Sequence, residues 1–329
     1  MRKNWKGAAV VFAALAATAL LLAACSSGAA PSSSTSNSTS TAPAQKGPIR
    51  VGSKIDGEGS LLGQMILQTL KANGFTVVDK TRTGATKVVR QALLDGQIDT
   101  YPEYTANAVL VFHSDVKVDP KVLQSAKRTY QVARSEEASI GIDWLQPAPA
   151  NNTWAVAVPQ AFATKNNLTS LADLATYINK GGTFKIVGSQ EFFTSPVAFP
   201  AFEKAYGFKT KPSQQVALAT GDTAVTEKTA AQGSQGANAA MAYGTDGTIS
   251  ALNLVVLTDP KGAQPIYQPA PIFRDEIIKQ YPEIETILAP VFGRLDLTTL
   301  QTLNKSIAVD GKDAKTVAAD WLKNNGFVK

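Results

Sequence analysis

Ile49-Arg50-Val51-Gly52, Leu61 to Ala72, Phe75-Thr76-Val77-Val78, Thr86 to Leu94 and Ile98-Asp99-Thr100-Tyr101 follow one another at the start of the folded body. The first, third and fifth runs carry the β-branched and aromatic residues of short strands. Between the first two, Leu62, Ile66 and Leu70 recur four apart with Leu61 and Met65 beside them, which is one apolar face of a helix. Asn73-Gly74 ends that helix, and Asp95-Gly96 ends the next. Strand, helix, strand, helix, strand over about 55 residues implies a parallel sheet with crossover helices, an α/β body.

The alternation recurs downstream. Residues 183–188, 236–243 and 254–257 predict strands. Helices are predicted over 170–179, capped by Thr169, over 196–206 and over 222–231. The last part differs, with helices over 282–288, 296–307 and 314–325 in succession and Pro282 at a first helical position. Such a tail suits a chain that returns to pack against its first half. From Gly47 the body holds about 280 residues, more typical of two domains than one.

Upstream, Arg2, Lys3 and Lys6 precede an uncharged stretch from Gly7 to Ala24, rich in Ala, Leu and Val, that ends in Leu22-Ala23-Ala24-Cys25. A basic start, an apolar run and small residues before a cut make a secretory signal. The pattern looks like a bacterial lipobox, in which Cys25 is acylated and becomes the first residue. The competing reading is a transmembrane helix, since the stretch is just long enough to span. Ser26 to Thr41 is dominated by Ser, Thr, Ala and Gly and reads as a flexible linker. The folded part is then expected outside the cytoplasm, held near a membrane by lipid.

Composition excludes several functions. The formal charge of +6 includes the three signal cations, and no later Lys/Arg run marks a nucleic-acid surface. The chain has 1 cysteine and 1 histidine, His113. No internal disulfide and no cysteine-based zinc site can form, and carboxylates are scattered singly, so no metal or other cofactor is expected. His113 beside Phe112 reads as a surface or helix-end residue rather than the base of a catalytic triad. No phosphate-binding Gly-x-x-x-x-Gly-Lys motif occurs, so the chain carries no ATPase of its own.

In open α/β sheets, ligands bind beyond the carboxyl ends of the strands. Four segments stand at such places or at the passage into the next α/β unit: residues 53–57, 101–107, 151–154 and 243–247. Three of the four mix aromatic with small polar residues and the first adds Lys54 and Asp56, which suits a cationic or amphiphilic small molecule. Each has a plainer reading. Tyr101 and Trp154 fit a strand core, Glu103 fits a helix N-terminus as well as a ligand, and Gly57-x-Gly59 fits a turn.

Together these segments resemble the osmoprotectant-type substrate-binding proteins of ABC transporters, the receptors for glycine betaine, choline and carnitine. The shared residues are Val51-Gly52-Ser53-Lys54, Gly84-Ala85-Thr86, Tyr101-Pro102-Glu103-Tyr104-Thr105, Asn151-Asn152-Thr153-Trp154-Ala155 and Ala242-Tyr243-Gly244-Thr245-Asp246-Gly247. The likeness runs from about Ile49 to the C-terminus and favours the branch with Gly-Ser-Lys-Ile-Asp and Ala-Pro-Ala-Asn-Asn-Thr-Trp, here 148–154.

The resemblance implies a two-lobed periplasmic-binding-protein fold of type II, its lobes joined by a two-strand hinge. Residues 1–24 would be the lipoprotein signal peptide and 25–47 the linker. Lobe 1 would hold 48–147 plus 255–329, and lobe 2 would hold 148–254. The resemblance also implies a monomer that delivers its solute to an ABC permease with an ATPase subunit. Carried over residue by residue, Tyr104, Trp154 and Tyr243 are candidates for an aromatic cage around a quaternary ammonium. Lys54 and Asn107 are candidates for its polar end.

Two departures stand out. Ser195 occupies the place where relatives often carry a carboxylate-binding Arg after a Glu-Phe pair. Residues 214–235, where a further cage tyrosine is expected, contain no aromatic. Phe192, Phe193 and Tyr267 are the candidates to fill that gap.

Overall fold

The structure is a computed structural model that describes residues 46–219 and 222–329. The signal, Cys25 and nearly all of the linker lie outside the described residues. In chain order the strands are β1 (Lys46–Lys54), β2 (Phe75–Gly84), β3 (Thr100–Tyr104), β4 (Ile142–Trp144), β5 (Trp154–Pro159), β6 (Ile186–Ser189), β7 (Gln215–Leu218), β8 (Ala239–Tyr243), β9 (Leu254–Val256) and β10 (Pro269–Arg274). They form two five-stranded sheets, ordered β2-β1-β3-β10-β4 and β7-β6-β8-β5-β9.

β1, β2 and β3 run parallel, as the alternation of strands and helices requires. The sheets are nonetheless mixed. β10 is antiparallel to β3 and β4, and β5 is antiparallel to β8 and β9. These are the strands that flank the passages between sheets, so each enters its sheet from the end opposite to a crossover helix. β9 extends the second sheet to Val256, two residues past the expected boundary at 254.

Helix boundaries follow their caps. The first helix starts at Gly57 because the Asp56 carboxylate accepts the Gly59 amide at 2.7 Å. Leu171–Asn179 is capped by Ser170 rather than Thr169, in a capping box with Asp173. Pro282 precedes the helix Glu283–Phe292 as its cap instead of opening it. Leu297–Ala308 and Ala314–Asn324 complete the helical tail, the first capped by Asp296. The tail packs on the first sheet, where Leu288, Phe292, Leu300 and Leu322 share a core with Val51, Leu62 and Ile66. A second core gathers Val156, Ile186, Phe192, Phe199 and Met241 under the second sheet.

The chain passes between sheets twice, through residues 145–153 and 257–268. The first passage runs along β10 and then the second passage, with Leu145 N–H donating to the Pro271 carbonyl at 3.0 Å, Ala148 N–H to that of Pro269 at 2.8 Å and Asn152 N–H to that of Tyr267 at 2.9 Å. The Asn151 side chain accepts the Tyr267 amide at 2.8 Å.

Beyond β8, the Gly244–Gly247 loop threads between this passage and the helix Leu297–Ala308. A Cβ on Gly244 would stand 2.3 Å from the Asn151 carbonyl oxygen, and one on Gly247 would stand 2.0 Å from the Lys305 nitrogen. Glycine is needed at 247 for space. Gly247→Ala should therefore cost about 2–3 kcal/mol through backbone displacement. Thermal melting should show a drop of several degrees, and an unchanged melting temperature would mean that the loop is not wedged there.

Candidate ligand-binding site

Glu58 sits in the first turn of the helix Gly57–Ala72, immediately after β1, and its side chain points inward and is buried. Its carboxyl gathers four distant segments. Oε1 accepts the Tyr104 hydroxyl at 2.6 Å and the Asn152 amide at 3.0 Å. Oε2 accepts the Asn304 amide, which also donates to the Thr245 carbonyl at 2.8 Å. The end of β3, the first passage, the loop after β8 and the helix Leu297–Ala308 thus meet at one group. Burial raises the Glu58 pKa, and hydrogen bonds from Thr245, Tyr104 and Asn304 pull it back in part.

A second buried carboxylate organises the end of β3. Glu103 Oε1 accepts the Tyr104 amide at 2.7 Å and the Asn107 side chain at 2.9 Å, and pairs with Lys54 Nζ at 2.7 Å. Oε2 accepts the Tyr101 hydroxyl at 3.0 Å. Glu103 is therefore saturated by protein donors. Lys54 and Asn107 both point at it, and Lys54 Nζ lies 4.7 Å from the Tyr104 ring centroid. Tyr101 is fully buried in the core, as its strand position implies.

The aromatic half stands on the second sheet. Trp154 opens β5 and Tyr243 ends β8, directly opposite in the antiparallel register. Their rings stack at 6.3 Å with 21° between planes. Phe192 meets Trp154 edge-on at 6.1 Å, is itself fully buried, and packs on Phe199 at 5.3 Å. It backs the wall instead of facing a ligand, and Phe193 packs on the same Phe199.

Tyr267, in the second passage, is buried and lies near enough to Tyr243 for the two hydroxyls to influence each other. Its hydroxyl is pushed up to about 12 by burial and by the neighbouring Tyr243 hydroxyl. Its position was hidden in sequence because it lies in an irregular segment far from Tyr243. Only the pairing of the two passages brings it there.

Tyr104 makes no ring contact with Trp154 or Tyr243 among the described residues. The Tyr104 side meets the first passage instead through Asn152, whose amide donates to the same Glu58 oxygen as the Tyr104 hydroxyl. Burial and then the Glu58 and Asp56 charges hold the Tyr104 hydroxyl well above its ordinary pKa. Burial, helped by Asp246, Glu191 and Asp56, raises that of Tyr243, against a lowering contact from Trp154. Asp56 is thus felt from both sheets.

Ser195 closes the short helix Gln190–Thr194, and no arginine occurs between 148 and 254. The second sheet supplies no guanidinium to an anionic ligand group. Asn152 Oδ1, Thr153 Oγ1 and Asn304 Oδ1 are buried with no hydrogen-bond partner among the described residues.

Other candidates lie apart. His113 follows the helical turn Ala108–Phe112, and its Nε2 contacts Glu137 at 2.7 Å, where Arg90 also forms a bidentate pair. Among the described residues no group of three or more His, Cys, Asp or Glu is placed to hold a metal. A cavity of about 780 Å³ runs along the helix Ala126–Ala138 to Gln146, Pro147 and Gln268, and holds none of the expected site residues.

The profile of the substrate-binding domain of ABC-type glycine betaine transport systems matches residues 47–324. The chain is 52% identical over 283 residues to the glycine betaine-binding protein YehZ of Escherichia coli K12, covering 86% of this chain and 92% of that one. It is 30% identical over 291 residues to a glycine-betaine-binding protein of Pseudomonas aeruginosa, covering 86% and 89%. The solved structure of apo YehZ superposes with a TM-score of 0.77 over 85% of this chain and 99% of that one. A glycine betaine/carnitine/choline ABC transporter structure at 18% identity shares the fold, with a TM-score of 0.74 over 85% of this chain and 99% of that one. The chain belongs to the family of ABC-transporter substrate-binding proteins of the glycine betaine type, a transport family whose members work outside the cytoplasm and have the type II periplasmic-binding fold. Among the described residues no helix is long and apolar enough to cross a membrane.

Below Tyr243 lies a buried acid pair. Asp246 accepts the Tyr243 amide at 2.6 Å, and its carboxyl hydrogen-bonds that of Glu227. Glu227 also accepts the Thr248 hydroxyl. Burial raises both pKa values, and mutual repulsion adds to that of Glu227. A raised acid binds its proton more tightly folded than unfolded, so its stabilisation is lost as pH rises through the folded pKa. Glu58 acts in the same sense. The lowered carboxyls Asp173 and Asp296 oppose this only as pH falls through the acid range. The melting temperature should fall between about pH 5 and pH 8, and Glu227→Gln should flatten the decline. A melting temperature that rises over that range would contradict the assignment.

Proposed function

We propose that the protein captures a quaternary-amine compatible solute of the glycine betaine type between its two sheets and passes it to an ABC importer. The observation that carries this reading is the stacked Trp154–Tyr243 pair beside the passage, with Tyr267 next to it and Tyr104 across the Asp56–Asn152 side. Aromatic faces attract a quaternary ammonium by about 0.5–2 kcal/mol per ring. Such a group has no N–H to donate, so ring faces suit it better than hydrogen-bond acceptors. The names of the two relatives above support the same ligand class.

The polar end has a distinctive character. Glu58, Asn152, Thr153 and Asn304 are rich in acceptors and residues 148–254 include no arginine, whereas a carboxylate asks for a strong donor fork. That observation favours a second reading within the class, a hydroxyl-bearing cation such as choline. Lys54 and Asn107 each already donate to Glu103, so a ligand carboxylate would compete with that anion or share its donors.

In this reading residues 48–147 plus 255–329 form one lobe and 148–254 the other, with β9 moved to the second. The paired passages act as the hinge on which the lobes close. Cys25 carries the lipid, and the stretch before Gly47 tethers the body to the membrane. The protein acts as a monomer with a permease and an ATPase subunit from other chains, and carries out no chemistry of its own.

Isothermal calorimetry with glycine betaine, choline, carnitine and proline tests this. A saturable response to at least one quaternary amine is expected. Trp154→Ala or Tyr243→Ala should each weaken it by about tenfold, the equivalent of one good ring contact. Silence toward every quaternary amine would remove the ligand class.

A further inference from the structure

We propose that the Lys54 ammonium is a built-in cation occupying the Tyr104 ring, and that it sets how much of that ring a bound quaternary amine uses. The inference rests on the ligand class proposed above. Lys54 Nζ stands 4.7 Å from the ring centroid, within cation–π range. It is held there rigidly. Glu103, 0% exposed, pairs with it at 2.7 Å and is itself fixed by Tyr101, the Tyr104 amide and Asn107.

The ring is fixed as well, since its hydroxyl donates to Glu58 at 2.6 Å. The lysine stem is pinned against the start of the first helix, where a Cβ on Gly59 would lie only 2.8 Å from Lys54 Cβ. Ring, ammonium and carboxylate therefore form one buried unit that a ligand meets already assembled.

A second cation approaching Tyr104 meets a face that is already used and a like charge beside it. Glu103 offsets much of that charge, so the occupied ring face is the larger obstacle. The ligand ammonium is left to the Trp154–Tyr243–Tyr267 wall, and affinity is held down. Lys54 thus acts as a specificity-determining residue at the cation end, not as the partner of a ligand carboxylate.

The test removes the internal cation without leaving a buried bare charge. The double variant Lys54→Met/Glu103→Gln is compared with the wild type by calorimetry, using tetramethylammonium and glycine betaine. Both should bind roughly five- to thirtyfold tighter to the variant. Adding Tyr104→Leu should abolish the gain. Weaker glycine betaine binding with tetramethylammonium unchanged would overturn the proposal and make Lys54 the carboxylate partner. No change for either would overturn it too. A wild type silent to all quaternary amines removes the ligand class. The proposal itself still stands or falls on whether the double variant gains tetramethylammonium binding. Should the double variant fail to fold, Lys54→Gln/Glu103→Ala, which likewise removes both charges, gives the same readout.

Discussion

The Glu58 carboxyl is the group on which the arrangement of the two halves depends. It is buried, has no counter-cation in contact among the described residues, and is satisfied by amides and hydroxyls from segments far apart in sequence. A buried carboxyl is costly unless its hydrogen-bonding capacity is met. Tyr104, Asn152 and Asn304 must therefore converge on it. Because Asn304 also bonds Thr245, the helical tail is tied to the loop after β8. One polar requirement in the first helical turn thus positions the end of β3, the passage between sheets and the second-sheet loop.

The aromatic wall depends on that convergence. Trp154 stands two residues after Asn152, and Tyr243 two residues before Thr245. Fixing the two polar residues fixes where β5 and β8 begin and end, and their antiparallel register then sets the rings face to face. Tyr267 joins them through the hydrogen bonds that pair the two passages. The cation end is built by sheet register and the polar end by side-chain amides. This division underlies the proposal that the site takes an ammonium group at its aromatic end, with few donors for a carboxylate.

Much of this was legible in the sequence. The apolar spacing of Leu62, Ile66 and Leu70 placed the first helix, and Thr86–Leu94 was read with its observed limits. Trp154 and Tyr243 were visible because both lie where an α/β strand meets its loop. The antiparallel β5 and β10 were not, since direction depends on how the chain returns between sheets and leaves no local pattern. The partners of Lys54 and Asn107 were also hidden. The sequence offers both to a ligand, and only the three-dimensional position of Glu103 shows a competing anion already there. Glu58 has no distinguishing sequence signal, because a carboxylate in a first helical turn has an ordinary explanation in the helix dipole.

A crystal structure of the protein with glycine betaine tests the central claim most directly. The account predicts the trimethylammonium group against the Trp154 and Tyr243 rings, with Tyr267 in contact and Glu58 still bonded to Asn152. Density for the ligand in the cavity beside Tyr130 and Arg134, with the Trp154–Tyr243 pair untouched, would contradict it.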